Sequence, residues 1–371
     1  NLIPTIMSGL DKVSRELTGF IPAVSLYPGA EGVAKDQTIR WPIAPVSTAG
    51  DITPAATGPT IGDQTVGSDT MTISKSRSVK FSWNGEEQTS VKDSYNTILA
   101  GQFAQGFRTL VNEVEVDLGA LYVAASRAYG TAGTSPFAST LVDPAQMRKI
   151  LADNGAPMSD LQIVLNTTAG ASLRTLTQLT KANEAGGDDL LRRGVLFDVH
   201  GFAIRESAGV RAHTKGTGAS YTSSTAGFAV GETSIAIITG TGTVLAGDVV
   251  TFAGDTNKYI VKTGVAAAGT IVIAAPGLKV ALAASAVAMT IGANSSENMA
   301  FDRSAIWLAT RTPLMPEGGE SAADDTTVTD PQSGLSFQVA MYKQYRTVTY
   351  ELGLAWGVKA AKPEHIGILL G

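Results

Sequence analysis

From Met71 to Trp83 the chain alternates strictly. Met71, Ile73, Val79, Phe81 and Trp83 share one face with Lys75 and Arg77, while Thr72, Ser74, Ser76, Ser78, Lys80 and Ser82 take the other. That is the period of a half-buried strand, and a run of this length reaches roughly 40 Å. It is the return limb of an arm that enters through Arg40-Trp41-Pro42-Ile43 and crosses a Gly/Pro/Thr/Asp-rich stretch, Ala49 to Thr70, with little apolar side chain to bury. A loop of this kind has no core of its own and is ordered by what it lies on. The pattern therefore predicts an extended arm that lies on a neighbouring copy.

The period then changes. Tyr95, Leu99, Phe103, Phe107, Leu110, Val114, Leu118, Leu121, Ala125 and Tyr129 recur every three or four residues, the apolar stripe of an amphipathic helix. Asp93 or Ser94 is placed to cap its start and Gly130 to end it in left-handed geometry. Read over this whole span, the helix is about 50 Å long, beyond the ~30 Å of a small domain. Gly101, Gly106 and Gly119 lie inside it, and each costs up to about 1 kcal/mol against alanine. The expectation is a strut whose glycines let other backbones approach.

Three further textures follow. Asp143-Pro144-Ala145-Gln146 reads as a capped helix start, with Met147, Ile150 and Leu151 as its buried stripe up to Gly155. Leu161 to Leu165 reads as a short strand, Asn166-Thr167-Thr168 as the turn into a helix through Leu173, Leu176 and Leu179, and Val195 to Ile204 as a strand or hairpin around Gly201. Together these define a compact α+β module. From Gly216 to Gly292 charges are few. Ser234 to Thr239, Asp248 to Phe252, Asn257 to Lys262 and Thr270 to Ala274 form short β-rich runs between glycine turns, as in a small barrel or sandwich. Lys215 to Thr225 reads as a linker, so this segment is expected to be a separate inserted domain; a β-rich extension of the preceding sheet is the alternative.

Composition removes whole classes of function. The 371 residues allow two or three domains, and a hydrophobic content of 44% fits a folded protein. With no cysteine there is no disulfide, thiolate metal site or cysteine nucleophile. Asn1 to Phe20 reads as a short amphipathic helix with Ile6, Leu10, Val13 and Leu17 on one side. It lacks a basic-then-apolar signal pattern, and since residue 1 is not methionine the start is read as processed or preceded by further chain. The longest low-polarity run, Val280 to Ala293, is shorter than the ~18 residues of a span, so no membrane association is expected.

Net charge is −5 and the basic residues are scattered, which is not the footprint of a protein that grips nucleic acid, although an acidic wall can surround it. The clearest basic cluster is Lys75, Arg77 and Lys80 on the arm. His200, His213 and His365 have no metal-type spacing, and no HExxH, GxSxG or Walker sequence occurs, so neither an enzyme nor a cofactor is expected. Gly240-Thr241-Gly242 before Gly247 has no strand-loop-helix context and reads as a turn. Glu113 and Asp117, four apart on the helix, read as a solvated or intersubunit face. Gly187-Asp188-Asp189 and Asp324-Asp325 read as solvated acidic turns.

Asn1-Leu-Ile-Pro-Thr-Ile-Met-Ser-Gly-Leu10 and Leu17-Thr-Gly-Phe-Ile-Pro22 resemble the start of major capsid proteins of short-tailed bacteriophages in the coat protein 5 group. The order of parts stays similar over nearly the whole chain, through Leu161-Gln-Ile-Val-Leu-Asn166-Thr, Gly247-Asp-Val-Val-Thr-Phe-Ala-Gly254 and Asn298-Met-Ala-Phe301-Asp-Arg-Ser-Ala-Ile-Trp307. The resemblance implies an α+β, Hong Kong 97-like capsid fold with an inserted small β-barrel domain.

In those terms residues 1–36 form an N-terminal arm or helix, 37–88 the extended loop, and 89–142 the spine helix and peripheral domain. Residues 143–215 and 294–334 form the axial domain around the 216–293 insertion, and 335–371 the closing peripheral strands. Copies are expected to form hexamers and pentamers in a shell that encloses double-stranded DNA without specific binding, in a virion assembled in the bacterial cytoplasm. The family adds a scaffolding protein and a portal as partners. Arg40, Trp41, Lys75, Arg77, Lys80 and Trp83 on the arm, with Asp255 and Lys258 in the insertion, are the candidate intersubunit contacts. An encapsulin-type compartment is the alternative reading; the β-insertion and the phage-like opening speak against it. A hydrolase reading lacks a nucleophile with a nearby base.

Overall fold

Two sheets and one long helix organise the chain, for which the computed structural model describes residues 18–28, 35–43, 66–91, 94–180, 198–315, 322–330 and 333–371. The expected N-terminal helix (all but its last residues), most of the Ala49 to Thr70 stretch, Asp93 and the Gly187-Asp188-Asp189 turn lie outside the described residues.

Helix Tyr95–Gly119 has 25 residues, about 37 Å at 1.5 Å each. Its stripe of Leu99, Phe103, Phe107, Leu110, Val114 and Leu118 is buried, and each such side chain contributes roughly 1.5–3 kcal/mol. The stripe lies on a sheet of six strands among the described residues, ordered Ser25–Pro28, Ile306–Arg311, Thr347–Ala360, Ser336–Gln344, Ala322–Thr329, with Lys75–Asn84 also paired to Thr347–Ala360. Phe107 meets Phe337 edge-on at 4.9 Å, and Phe103 meets Phe81 at 5.0 Å and Tyr350 at 5.4 Å. Leu335, Phe337 and Val339 are buried and Met341 half-buried, and the intervening Gln338 and Ala340 are buried as well, so this strand is covered on both faces.

The helix is shorter than its sequence period. At Gly119 it tightens into a 3-10 turn, Ala120–Ala124, and Arg127–Tyr129 is a strand. Leu121, Ala125 and Tyr129 keep the spacing, but the backbone of 127–129 is claimed by hydrogen bonding to Gly367–Leu369 on one side and Lys258–Tyr259 on the other. Gly130 has a φ of +96° as expected, at the end of this strand rather than of the helix. Ser94 sits at the helix N-cap without a side-chain hydrogen bond.

The helix glycines divide by surroundings. A Cβ on Gly119 would stand 2.2 Å from the Gly209 carbonyl oxygen and one on Gly106 2.5 Å from Leu352 Cδ1, whereas Gly101 faces open space. Gly101→Ala is therefore expected to raise stability by about 0.5–1 kcal/mol and Gly119→Ala to lower it by more than that, checked by urea unfolding midpoints.

The second sheet runs from Phe202–Glu206 through Leu161–Leu165, Ser295–Asp302 and Ile366–Leu370 to Arg127–Tyr129. It continues there into the inserted strands Lys258–Thr263, Gly269–Ile273, Ser234–Ile238 and Thr222–Ser223. The 216–292 segment has its own apolar cluster of Tyr221, Ile235, Ile237, Val250, Phe252, Tyr259, Val261, Ile271 and Ile273. Yet its ladder is continuous with the α+β module through Arg127–Tyr129. The stretch read as a linker is packed: Tyr221 is buried and donates to the Gly242 carbonyl at 2.6 Å, and Ala219 pairs with Thr241, so the 240–242 segment read as a turn is a bridged strand-like stretch.

Asn166 caps helix Thr167–Thr175 by accepting from the Ala169 N–H at 2.8 Å. The expected Asp143 cap differs. The helix begins at Val142, and Asp143 accepts instead from the Phe137 N–H at 2.7 Å, a donor in the preceding loop that would otherwise go unpaired.

Candidate functional site

The arm is a hairpin at its base. Thr38–Ile43 pairs antiparallel with Gly67–Thr72, placing Trp41 opposite Asp69 and Arg40 opposite Thr70. The thirteen-position alternation is split here, because strand pairing passes from this hairpin to the large sheet between Thr72 and Lys75, with Ile73 exchanging backbone bonds with 36–37.

Stacking, burial and the Lys359 side chain fix the hairpin on the six-stranded sheet. Trp41 stacks on Trp307 at 4.4 Å with 26° between planes. Met71 and Ile73 are buried against Ala309 and Ala355. Lys359 bonds both the Asp69 carboxylate and, at 2.6 Å, the Thr70 carbonyl, and its ammonium lies 5.4 Å from the Trp41 ring centroid. The Lys359 hydrogen bond holds the Asp69 carboxyl below its ordinary range. Gly357 admits the arm: a Cβ there would meet the Thr72 carbonyl at 2.1 Å.

Beyond this base, Lys75–Asn84 continues antiparallel to Thr347–Ala360, with Val79, Phe81 and Trp83 turned toward the long helix. Trp83 donates to Gln102 at 2.7 Å and packs edge-on against Tyr95. The basic cluster is paired within the chain. Lys75 meets Asp117 at 2.7 Å, Arg77 meets Glu113 at 3.3 Å and Lys80 meets Glu351 at 3.2 Å. Glu113 and Asp117 therefore act as partners of the arm, and Asp117 also accepts from the buried Trp356 indole at 2.9 Å. The more exposed Arg77 and Lys80 pairs contribute about 0–1 kcal/mol each and are readily re-partnered, whereas Lys75–Asp117 is part-buried. Arg40 is exposed on the hairpin.

The two insertion candidates sit at its junction with the module. Asp255 accepts from the Asn257 N–H at 2.9 Å and from Tyr259 at 2.5 Å, and burial, helped by this bond, pushes the tyrosine up to about 12. Lys258 bonds the Gly130 carbonyl, and burial pulls its pKa down. The arm residues and this pair thus belong to two separate regions, one at the hairpin and one at the insertion.

Sequence reasoning missed Lys359, Asp69 and Trp307 as the clamp of the arm; only Trp307, in a segment of the family resemblance, carried a signal. Glu115 was also missed. This buried carboxylate on the long helix accepts from the Gly19, Phe20 and Ile21 N–H groups and from Ser207, tying the start of the described chain to the strut. The histidines are structural in their contacts: His200 shapes the turn at a φ of +53°, and His213 lies between Tyr122 and Asp248.

No family model and no curated protein matches the chain. Solved structures do. The capsid of the cyanophage P-SCSP1u is 12% identical, with 97% of this chain and 89% of that one covered at a TM-score of 0.51. A chain from Mycobacterium phage Che8 is 14% identical over 91% of this chain and 85% of its own, TM-score 0.45. A virus-like particle from Pyrococcus furiosus is 11% identical over 99% and 97%, TM-score 0.44. The P-SCSP1u match shows the fold, and the chain has the α+β capsid fold expected from its sequence.

Proposed function

We propose that this chain is the major capsid protein of a tailed bacteriophage, related to the short-tailed coat protein 5 group. Copies assemble into hexamers and pentamers of an icosahedral shell around double-stranded DNA. The observation that carries the reading is the arm: a hairpin held at its base by Trp41, Trp307, Asp69 and Lys359, on a sheet braced by a 25-residue helix, in a chain with a capsid fold. A base so clamped gives the arm a fixed point of departure, and modest contacts repeated over a lattice add through effective concentration. Arg77 and Lys80 can exchange their weak in-chain partners for those of a neighbour, with the part-buried Lys75–Asp117 pair holding the strand between them and the hairpin. The role is structural rather than enzymatic, in the virion, with assembly in the host cytoplasm and with scaffolding and portal proteins as partners. Domain roles follow the same reading: the six-stranded sheet and long helix as peripheral domain, the α+β module as axial domain, and 216–293 as insertion.

Deleting Pro54 to Thr65, which spares the paired base and Asp69, is expected to leave a soluble, folded subunit that forms no shells, as read by circular dichroism with sedimentation. Normal particles from that deletion contradict the role of the arm.

A further inference from the structure

The inserted β region leaves and rejoins the module through a neck that buries two carboxyl groups around one imidazole. Asp248, His213 and Glu297 are all buried, Asp248 and Glu297 with no exposed surface. Asp248 is fully engaged. It accepts from the N–H groups of Gly216 at 3.0 Å and Leu245 at 2.7 Å, and from His213 Nε2 at 2.8 Å. His213 Nδ1 lies 2.9 Å from the Tyr122 hydroxyl, on the 3-10 turn that ends the long helix. A Cβ on Gly247 would stand 2.8 Å from the Tyr122 ring and 3.0 Å from His213, so the cluster is close-packed and leaves no room for a substrate.

Glu297 is different. Its Oε1 accepts from Ser295 at 2.5 Å, and its Oε2 has no partner although it is buried. The groups facing it are Tyr122, His213 and Arg211, whose carbonyl accepts the Glu297 N–H at 2.8 Å, and Asp248 acts on the same Tyr122 hydroxyl. On the other flank the strand Ile366–Leu370 places Leu370 opposite it and carries no titratable side chain. An ionised carboxylate buried in this position has less than a full set of protein donors, which is costly unless the group keeps its proton or the neck admits water. The seam that would yield is short: Ala212–His213 joins Ser295–Ser296 by two register pairs only.

We propose that this neck is a proton-controlled latch: uncharged Glu297 keeps it shut, and loss of its proton parts the 212–213 strand from 295–296, releasing His213 from Tyr122 at the end of the long helix. Burial raises the Glu297 carboxyl above its ordinary value of 4.5, with Ser295 and His213 opposing. A group raised in the closed state stabilises closure below its ordinary value and loses that contribution as pH climbs to its raised one.

The test is amide hydrogen exchange of the full chain, resolved by mass spectrometry and corrected for intrinsic rates, from pH 5 to 8. Opening at Gly216, Leu245 and Glu297 is expected to rise by up to about tenfold per pH unit and then level off, while Val339 and Leu352 in the other sheet stay constant. Glu297→Gln is expected to abolish the slope at the neck. Ser295→Ala, which removes the hydroxyl that favours the charged form, is expected to move the plateau to higher pH. A flat profile in the unmodified chain overturns the latch whatever the variants do. A slope retained in Glu297→Gln, or, should that variant not fold, a plateau unmoved in Ser295→Ala, overturns it equally.

Discussion

Aspartate at both Phe107 and Leu110 is expected to leave a chain with no cooperative melting transition. Both side chains are almost wholly buried, and Phe107 packs edge-on against Phe337. Truncating a buried phenylalanine or leucine costs about 2–5 kcal/mol in packing alone. The introduced carboxylates add a desolvation penalty of several kcal/mol each, with no cation in the apolar cluster of described residues around them to offset it. Against a net stability of about 5–15 kcal/mol, two such changes on one helix face exceed what the fold can absorb. Circular dichroism during heating decides it: a melting curve like that of the unmodified chain would refute the role of the helix as the strut of the six-stranded sheet.

Glu115→Ala is expected to be strongly destabilising. Its carboxylate lies 2.8 Å from the Ile21 N–H, 3.0 Å from that of Phe20 and 2.6 Å from the Ser207 hydroxyl. Burial pushes the carboxyl up, and these donors pull it back toward the ionised form. Removing the acceptor orphans buried donors at about 1–3 kcal/mol each, for a total above about 3 kcal/mol. Glu115→Gln, which keeps one acceptor oxygen, should lose less. Urea unfolding of the three proteins measures this; an alanine variant within about 1 kcal/mol of the unmodified chain contradicts it.

The sequence revealed those parts of the fold that depend on local period. The stripe from Leu99 to Leu118, the strand Leu161–Leu165, the entry into a helix at Asn166-Thr167-Thr168 and the four main runs of the insertion were all readable, because apolar spacing or turn residues mark each of them locally. The end of the long helix was not. Tyr129 has helical spacing, but its conformation is decided by two strands more than 120 residues away, which no local pattern encodes. The clamp of the arm was hidden for the same reason: Asp69 and Lys359 are 290 positions apart. Asp143 shows the limit of capping rules, since its carboxylate serves a loop donor instead of the helix end. The candidate contacts Lys75, Arg77 and Lys80 were recognisable as a cluster; that Glu113, Asp117 and Glu351 face them depends on the packing of helix and sheet.

Assembly is the central claim, and electron microscopy of the purified chain with sedimentation tests it most directly. Closed icosahedral shells, or aberrant spirals built of the same capsomers, are the predicted result. A uniform small oligomer that never assembles, alone or with its genomic neighbours, would contradict it.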